Sequence, residues 1–304
     1  MQAKVYKELG INFNFIIMKI GKLVTGTFFG LLIGITLVSC KEQKAPESTS
    51  TDEISEMAKA DQKASAHSIE NYFPGPNLMK YIVLEDNGLA LSEDQEKTFA
   101  KWREMNHSKI QEKLMQISQL ESEIKSLSLA GDEVEEILKK ESEAEVLRSE
   151  IANTKFLCHN LIMETLSPEQ WETLVTGYEK DFPMLERSKM KQVMQHVNPV
   201  PNFMKVIESD SDQLDLSPEQ ESKFEAWRVE YHPQMMEMAN QIIDLEREIY
   251  IGSLHKEPKE DLLKKVVQIN QVRTEIVKTK TNCRDMLMDT LDDGQWQILL
   301  ERLS

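Results

Sequence analysis

Apolar residues recur along two long stretches of the chain at the three- and four-residue spacing of one helix face. The first stretch begins at Ser92 and the second ends near Thr165, with the turn-forming sequence Ala130–Asp132 between them. The pattern therefore predicts a helical hairpin. The predicted inward positions are Phe99, Trp102, Ile110, Leu114, Ile117, Leu120, Ile124, Leu127, Ile137, Leu147, Ile151, Cys158, Leu161 and Ile162.

A short helix is predicted on either side of this hairpin. One follows Pro76 and ends near the turn-like sequence Asp86–Gly88, and the other runs from Pro168 to about Tyr178. The charged residues outside the apolar stripe, notably within Asp132–Glu145, are predicted to form solvated faces. The unit thus consists of four helices.

Four short motifs have the form of a helix start. A serine or aspartate at the N-cap accepts a hydrogen bond from a free backbone N–H, and a glutamine three residues later reaches back to complete a capping box. Leu166 is placed to pack on Trp171, and Leu291 on Trp296, as hydrophobic staples. The motif residues are Leu91, Ser92, Gln95, Leu166, Ser167, Gln170, Leu216, Ser217, Gln220, Leu291, Asp292 and Gln295.

The spacing of these motifs indicates an internal duplication. Within each pair they start 75 residues apart, and the pair recurs at an offset of 125. Residues 76–175 and 201–300 share 39 identical pairs in 100 aligned without a gap. We therefore expect two helical units, 69–182 and 183–304. A thin hairpin about 45 Å long needs a second layer, so the two units are expected to pack as a pseudo-dimer in an all-α fold.

The composition agrees with long helices, and the charge and motifs exclude several classes of function. Charged residues make up 29% of the chain, aromatic residues 7%, and glycines and prolines are few. The net charge of −16 argues against nucleic-acid binding by bulk electrostatics. There is no phosphate-binding glycine loop, HExxH, GxSxG or plausible nucleophile–base pair. We therefore expect neither an enzyme nor a cofactor.

The N-terminal region has the pattern of a secretion signal. A basic segment from Met18 precedes the apolar stretch Leu23–Val38, which is short for a membrane-spanning helix. It ends in Leu37–Cys40, which resembles a bacterial lipobox with Cys40 as the lipidated residue. Residues 1–39 are thus predicted to be a signal peptide, with Met18 as the expected true start. An uncleaved membrane anchor is the alternative. Residues 40–68 lack apolar periodicity and are predicted to be a flexible tether.

Each unit resembles the Spy/CpxP family of bacterial envelope proteins. That family carries two LTxxQ motifs separated by a long helical hairpin after a secretion signal. The sequences beginning Leu89-Ala-Leu91-Ser92 and Leu214-Asp-Leu216-Ser217 match the first motif, and Thr165–Gln170 matches the second. Serine replaces threonine three times, Asp292 replaces it once, and two units share one chain. The resemblance implies an all-α, cradle-shaped dimer that acts as an ATP-independent chaperone.

Histidine, cysteine and methionine residues raise the question of a metal site. Thiolate, imidazole and thioether ligands suit a soft or borderline metal, but no pair lies at the i, i+4 spacing. Core and surface roles are therefore the favoured interpretation. The candidate ligands are His107, His232, Cys158 and His159.

Cys158 and Cys283 are equivalent residues of the two repeats, and both fall on the inward stripe. Buried thiols are the favoured interpretation, and a disulfide between the repeats is the alternative.

The sequence thus predicts a lipid-anchored, periplasm-facing chaperone that binds unfolded envelope proteins. The side chains expected to contact clients are Trp102, Met105, Trp227 and Met235. The alternative is a metal-binding sensor or regulator of an envelope-stress system, whose partner is a metal ion or the outer domain of a sensor kinase.

Overall fold

The computed structural model describes residue 69 and residues 72–182, 199–209 and 211–303, which belong to the unit Thr49–Ser304. Over these residues the protein is all-α and has no strand. This confirms the predicted fold class. The predicted signal peptide, the lipidation site Cys40 and the tether lie outside the described residues.

The helices of the first repeat follow the predicted order. They are α1 (Leu78–Ile82), α2 (Glu93–Ala130), α3 (Val134–Thr165) and α4 (Pro168–Asp181). The second repeat has the same long helices and one extra turn. Its helices are α5 (Phe203–Ser209), α6 (Ser211–Leu214), α7 (Pro218–Leu254), α8 (Lys259–Met288) and α9 (Asp293–Leu303).

Local chemistry explains where the helices of the first repeat stop. Gly131 follows α2 with a φ of +79°, a left-handed conformation that glycine adopts without strain, so the predicted hairpin turn is confirmed. Helix α1 ends at Ile82, four residues before the predicted turn. The side-chain amide of Asn87 donates to the carbonyls of Ile82 and Leu84, which satisfies groups left free at the helix end.

The two hairpins meet through their second helices. Helix α2 packs on α3, α7 packs on α8, and α3 packs on α8. The middle of this arrangement is filled by a hydrophobic cluster, here named the central cluster, which draws on all four long helices. Its buried residues are Tyr72, Phe73, Ile110, Leu114, Ile117, Ile151, Ala152, Phe156, Ile242, Ile249, Leu262, Val266, Ile269 and Ile276.

Two further clusters lie where short helices meet a hairpin tip of the other repeat. The first end cluster combines α1 and α4 with Tyr250 and Leu254 from the end of α7. The second end cluster combines the short helices of the second repeat with Ile124 and Ile137 from the tip of the first hairpin. Each apolar stripe is therefore covered partly by the other repeat.

The prediction that the charged residues form solvated faces is wrong at the centre of the fold. Glu141 is 0% exposed and Arg148 1% exposed, and their side chains form an ion pair of 2.6 Å. Arg148 also contacts Glu121 at 3.2 Å. Arg273, the equivalent of Arg148, is buried as well and lies 3.7 Å from Glu246. Packing of the second repeat against α3 removes these charges from solvent.

Candidate functional site

The four motifs form two pairs held together by their glutamines. Nε2 of Gln95 donates to Oε1 of Gln170 at 2.8 Å, and Nε2 of Gln170 donates back to Oε1 of Gln95 at 3.1 Å. The remaining hydrogen of Gln95 Nε2 goes to the carbonyl of Thr165, and that of Gln170 Nε2 goes to the carbonyl of Leu89. The motifs therefore join the start of α2 to the start of α4.

The second repeat forms the same arrangement. Gln220 and Gln295 exchange hydrogen bonds of 2.8 and 3.1 Å, and their other amide hydrogens reach the carbonyls of Thr290 and Leu214. Each glutamine oxygen also accepts from the backbone N–H of its own N-cap residue. Both lone pairs and both hydrogens of every motif amide are thus used.

All four predicted capping boxes are present. Ser92, Ser167 and Ser217 each accept from the backbone N–H of the glutamine three residues later. Asp292 does the same through its carboxylate, at 2.8 Å from the N–H of Gln295. The aspartate therefore replaces the serine as a cap at the fourth motif.

The predicted client-contact residues fall into different surroundings. Met105 is 54% exposed on α2. Trp102 is half-buried and packs on both the central and the first end cluster. Trp227 and Met235 lie together beside a pocket at the start of the second repeat. The structure thus brings two of the four side chains into one site.

This pocket lies between α5, α7 and α8 and has a volume of about 220 Å³. The indole of Trp227 stacks on the ring of Tyr231 with centroids 4.0 Å apart. Met235 and Met236 also line the pocket, together with Lys280. Burial lowers the pKa of the Lys280 amine to about 7.

Sequence reasoning missed Lys280 and its equivalent Lys155. A signal was present, because Lys155 falls between Ile151 and Cys158 at helical spacing on the inward stripe, and the second repeat has a lysine at the same place. The buried arginines Arg148 and Arg273 were missed for the same reason. A charged residue that interrupts an apolar stripe in both copies is the pattern that reveals them.

The candidate metal ligands do not come together. Among the residues that the structure describes, no group of three or more His, Cys, Asp or Glu side chains is placed to hold a metal ion. His159 is buried with its ring perpendicular to that of Trp171 at 5.5 Å between centroids, and burial lowers its pKa to about 4. His107 is half-buried and His232 exposed on α2 and α7.

The two inward cysteines lie in different clusters. Cys158 belongs to the first end cluster and Cys283 to the second, and both are free thiols. Burial raises the pKa of Cys158 to about 11 and that of Cys283 to about 12. Both thiols are therefore neutral at physiological pH and act as small apolar side chains.

No protein-family model matches the chain, and neither the curated proteins nor the solved structures yield a match. The likeness of its motifs to the Spy/CpxP family therefore stays a prediction. Within the described part of the chain, no helix is both long and apolar enough to cross a membrane.

Proposed function

We propose that the protein is an ATP-independent chaperone of the bacterial envelope that holds unfolded proteins by reversible apolar contacts. Its two repeats act as the halves of a pseudo-dimer of the Spy/CpxP type. A lipid on Cys40 attaches it to a membrane, and residues 41–68 let the helical part stand away from the surface.

The pseudo-dimer is supported by the equivalence of contacts across the two repeats. Leu129 and Leu254 are equivalent residues at the two hairpin tips, and they pack into opposite end clusters. The equivalent arginines Arg148 and Arg273 lie close enough for their charges to interact. These relations are those expected around a two-fold axis that passes between α3 and α8.

The observation that carries the chaperone function is the exposure of large, adaptable apolar side chains on the long helices. Met115 is 61% and Val229 63% exposed, in addition to Met105. Val146 and Leu157 are exposed about three turns apart on one face of α3. Methionine and aliphatic side chains adapt to many apolar partners, and weak contacts of this kind slow aggregation by lowering the concentration of free unfolded protein.

A direct test is suppression of aggregation by residues 69–304 without nucleotide. We expect near-stoichiometric protein to slow the aggregation of reduced insulin and of thermally unfolded citrate synthase, with no effect of a zinc or copper chelator. Substituting four exposed apolar residues by serine should weaken suppression at unchanged thermal midpoint. The four positions are Met105, Met115, Leu157 and Val229.

The matched control substitutes four exposed, uncharged polar residues of the long helices by serine. These positions are Gln116, Gln119, Asn240 and Gln241. This variant should retain full suppression. No suppression at several-fold excess over both clients would overturn the proposal, and micromolar metal binding by the same protein would then favour the sensor function.

A further inference from the structure

The pocket of the second repeat contains an amino group, that of Lys280, which forms no ion pair with any residue that the structure describes. The only hydrogen bond of Lys280 Nζ to another described residue goes to the backbone carbonyl of Val200, and no described carboxylate pairs with it. The neighbouring Cys283 thiol is neutral, because burial raises its pKa. Within the described part of the chain this lysine therefore has one neutral partner, which is unfavourable for its charged form.

In the first repeat the equivalent lysine, Lys155, has a side-chain partner. Lys155 donates to Oδ1 of Asn77 at 2.5 Å and lies over the ring of Phe73. In the second repeat the equivalent asparagine, Asn202, instead accepts from the backbone N–H of Lys205. Lys280 thus lacks the side-chain partner that its counterpart has.

The backbone at the start of the second repeat also differs. Gly75 of the first repeat lies against the Phe73 ring so closely that a Cβ there would come within 2.5 Å of it. Its equivalent in the second repeat is Val200, which is buried. Val200 carries a side chain where Gly75 has none, so the close contact between Gly75 and the Phe73 ring is not repeated at Val200.

The walls of the pocket beside Lys280 are specific to the second repeat. Tyr231, Met235 and Met236 stand where the first repeat has asparagine, isoleucine and glutamine. The stacked rings of Trp227 and Tyr231 provide a flat aromatic wall, and the methionines provide a deformable one. The volume of about 220 Å³ suits a single ring with a short side chain.

We propose that this pocket binds a small aromatic carboxylate, with the carboxylate paired to the Lys280 amine and the ring held against Trp227, Tyr231 and Met235. The ligand supplies a carboxylate to Lys280, which forms no ion pair with a described residue, and its ring fills the apolar space. Arg228 is already paired with Glu225 at 2.7 Å, and Lys205 is exposed, so Lys280 is the half-buried cation of this pocket that a ligand anion would meet. This proposal is independent of the chaperone function.

Other charged or ionisable groups line the pocket and bear on its pH dependence. Lys205 and Glu208 lie on α5, Arg228 and His232 on α7, and Cys283 on α8. Among them His232 contributes an imidazole to the pocket lining. A His232→Gln variant therefore separates the contribution of the lysine from that of the imidazole.

The first measurement is calorimetric titration of the full chain with 3-phenylpropionate and with the uncharged 3-phenylpropionamide. We expect the acid to bind at least ten times more tightly than the amide at pH 6.5. Raising the pH from 6 to 8.5 should weaken binding of the acid about 30-fold, because the protonated fraction of an amine with a pKa of about 7 falls by that factor. His232→Gln should preserve this pH dependence.

The second measurement uses variants and a peptide. Lys280→Met should abolish the preference for the acid, whereas Lys205→Met, at an exposed lining position, should retain it. A short peptide with a C-terminal phenylalanine distinguishes a peptide terminus from a free acid as the source of the ligand. Equal binding of acid and amide by the unsubstituted chain, or binding unchanged by Lys280→Met, would overturn the proposal.

Discussion

The side-chain amides of Gln95 and Gln170 exchange two hydrogen bonds although 75 residues separate them in the chain. Each amide also completes a capping box at its own helix start. Each motif glutamine thus caps its own helix and also forms hydrogen bonds to a motif distant in the sequence. The motif glutamines fasten each short terminal helix to the base of its hairpin.

Substitution of Gln170 by glutamate should separate helix capping from the amide pair. The glutamate still accepts from the backbone N–H of Ser167, but it has no hydrogens to donate to Gln95 or to the carbonyl of Leu89. We expect a loss of about 1–3 kcal/mol in the free energy of unfolding, because two partly buried acceptors each lose a donor. Urea denaturation measures this loss.

The matched control for that experiment is Gln241→Glu, at an exposed position on α7. It should change the free energy of unfolding by less than about 0.5 kcal/mol. Ser167→Ala, which removes the cap and retains the amide pair, should cost about 1 kcal/mol. A Gln170→Glu variant as stable as the control would contradict the fastening role of the amide pair.

Arg148→Met should be strongly destabilising. Burial by itself lowers the pKa of this guanidinium, but Glu141 and Glu121 beside it hold that pKa above its usual value, so the arginine is charged. Its removal leaves Glu141 buried without its partner, and we expect a cost of about 3–5 kcal/mol by thermal or urea denaturation.

A second substitution in the same ion pair tests the reason for that cost. The second repeat has Val266 at the position of Glu141. The double variant Arg148→Met, Glu141→Val should therefore recover part of the lost stability, because no buried carboxylate remains unpaired. If the double variant is less stable than Arg148→Met alone, the unpaired charge is not the cause.

The buried His159 should make the protein less stable in mild acid. Burial lowers the folded-state pKa of His159 to about 4 from an ordinary value of 6.5. As the pH falls below 6.5 the unfolded chain takes up a proton that the folded chain does not, so the unfolded state is favoured. Between pH 7 and pH 5 this effect amounts to about 2 kcal/mol.

This pH dependence is measured by urea denaturation at both pH values. The difference between the free energies of unfolding at pH 7 and pH 5 should shrink in His159→Gln. It should persist in His232→Gln, since His232 is exposed. If this pH-dependent difference is the same in His159→Gln as in the unsubstituted protein, groups other than His159 cause the acid sensitivity. Glu145 acts in the opposite direction, because burial raises its pKa and acid therefore relieves an unfavourable charge.

Residues 69–182 alone should not form a stable monomer. Ile124 and Ile137 at the tip of the first hairpin are fully buried in a cluster formed mainly by the second repeat. Without that cover we expect the fragment to unfold or to dimerise, as seen by circular dichroism with light scattering. Residues 69–304 are the control. A folded, monomeric fragment would contradict the proposed pseudo-dimer.

The long helices and the starts of the capped helices were determined by local sequence, whereas the end of α1 and the short helix α6 were not predicted. The serine or aspartate at each N-cap and the glutamine three residues later meet within one helical turn, so capping needs no tertiary information. Gly131 likewise predicted the hairpin turn, because its left-handed conformation is a property of one residue. The duplication was equally visible, since it is a property of the sequence itself.

The tertiary structure alone decided which polar residues are buried and what they contact. Glu141 lies in a run of charges whose pattern is that of a solvated face, and only the approach of α8 to α3 removes it from water. Lys155 and Lys280 occupy the same place in the repeat pattern, yet one meets a side-chain amide and the other a backbone carbonyl. Hydrogen-bond partners distant in sequence depend on differences of a few ångströms in packing, which helical periodicity does not encode.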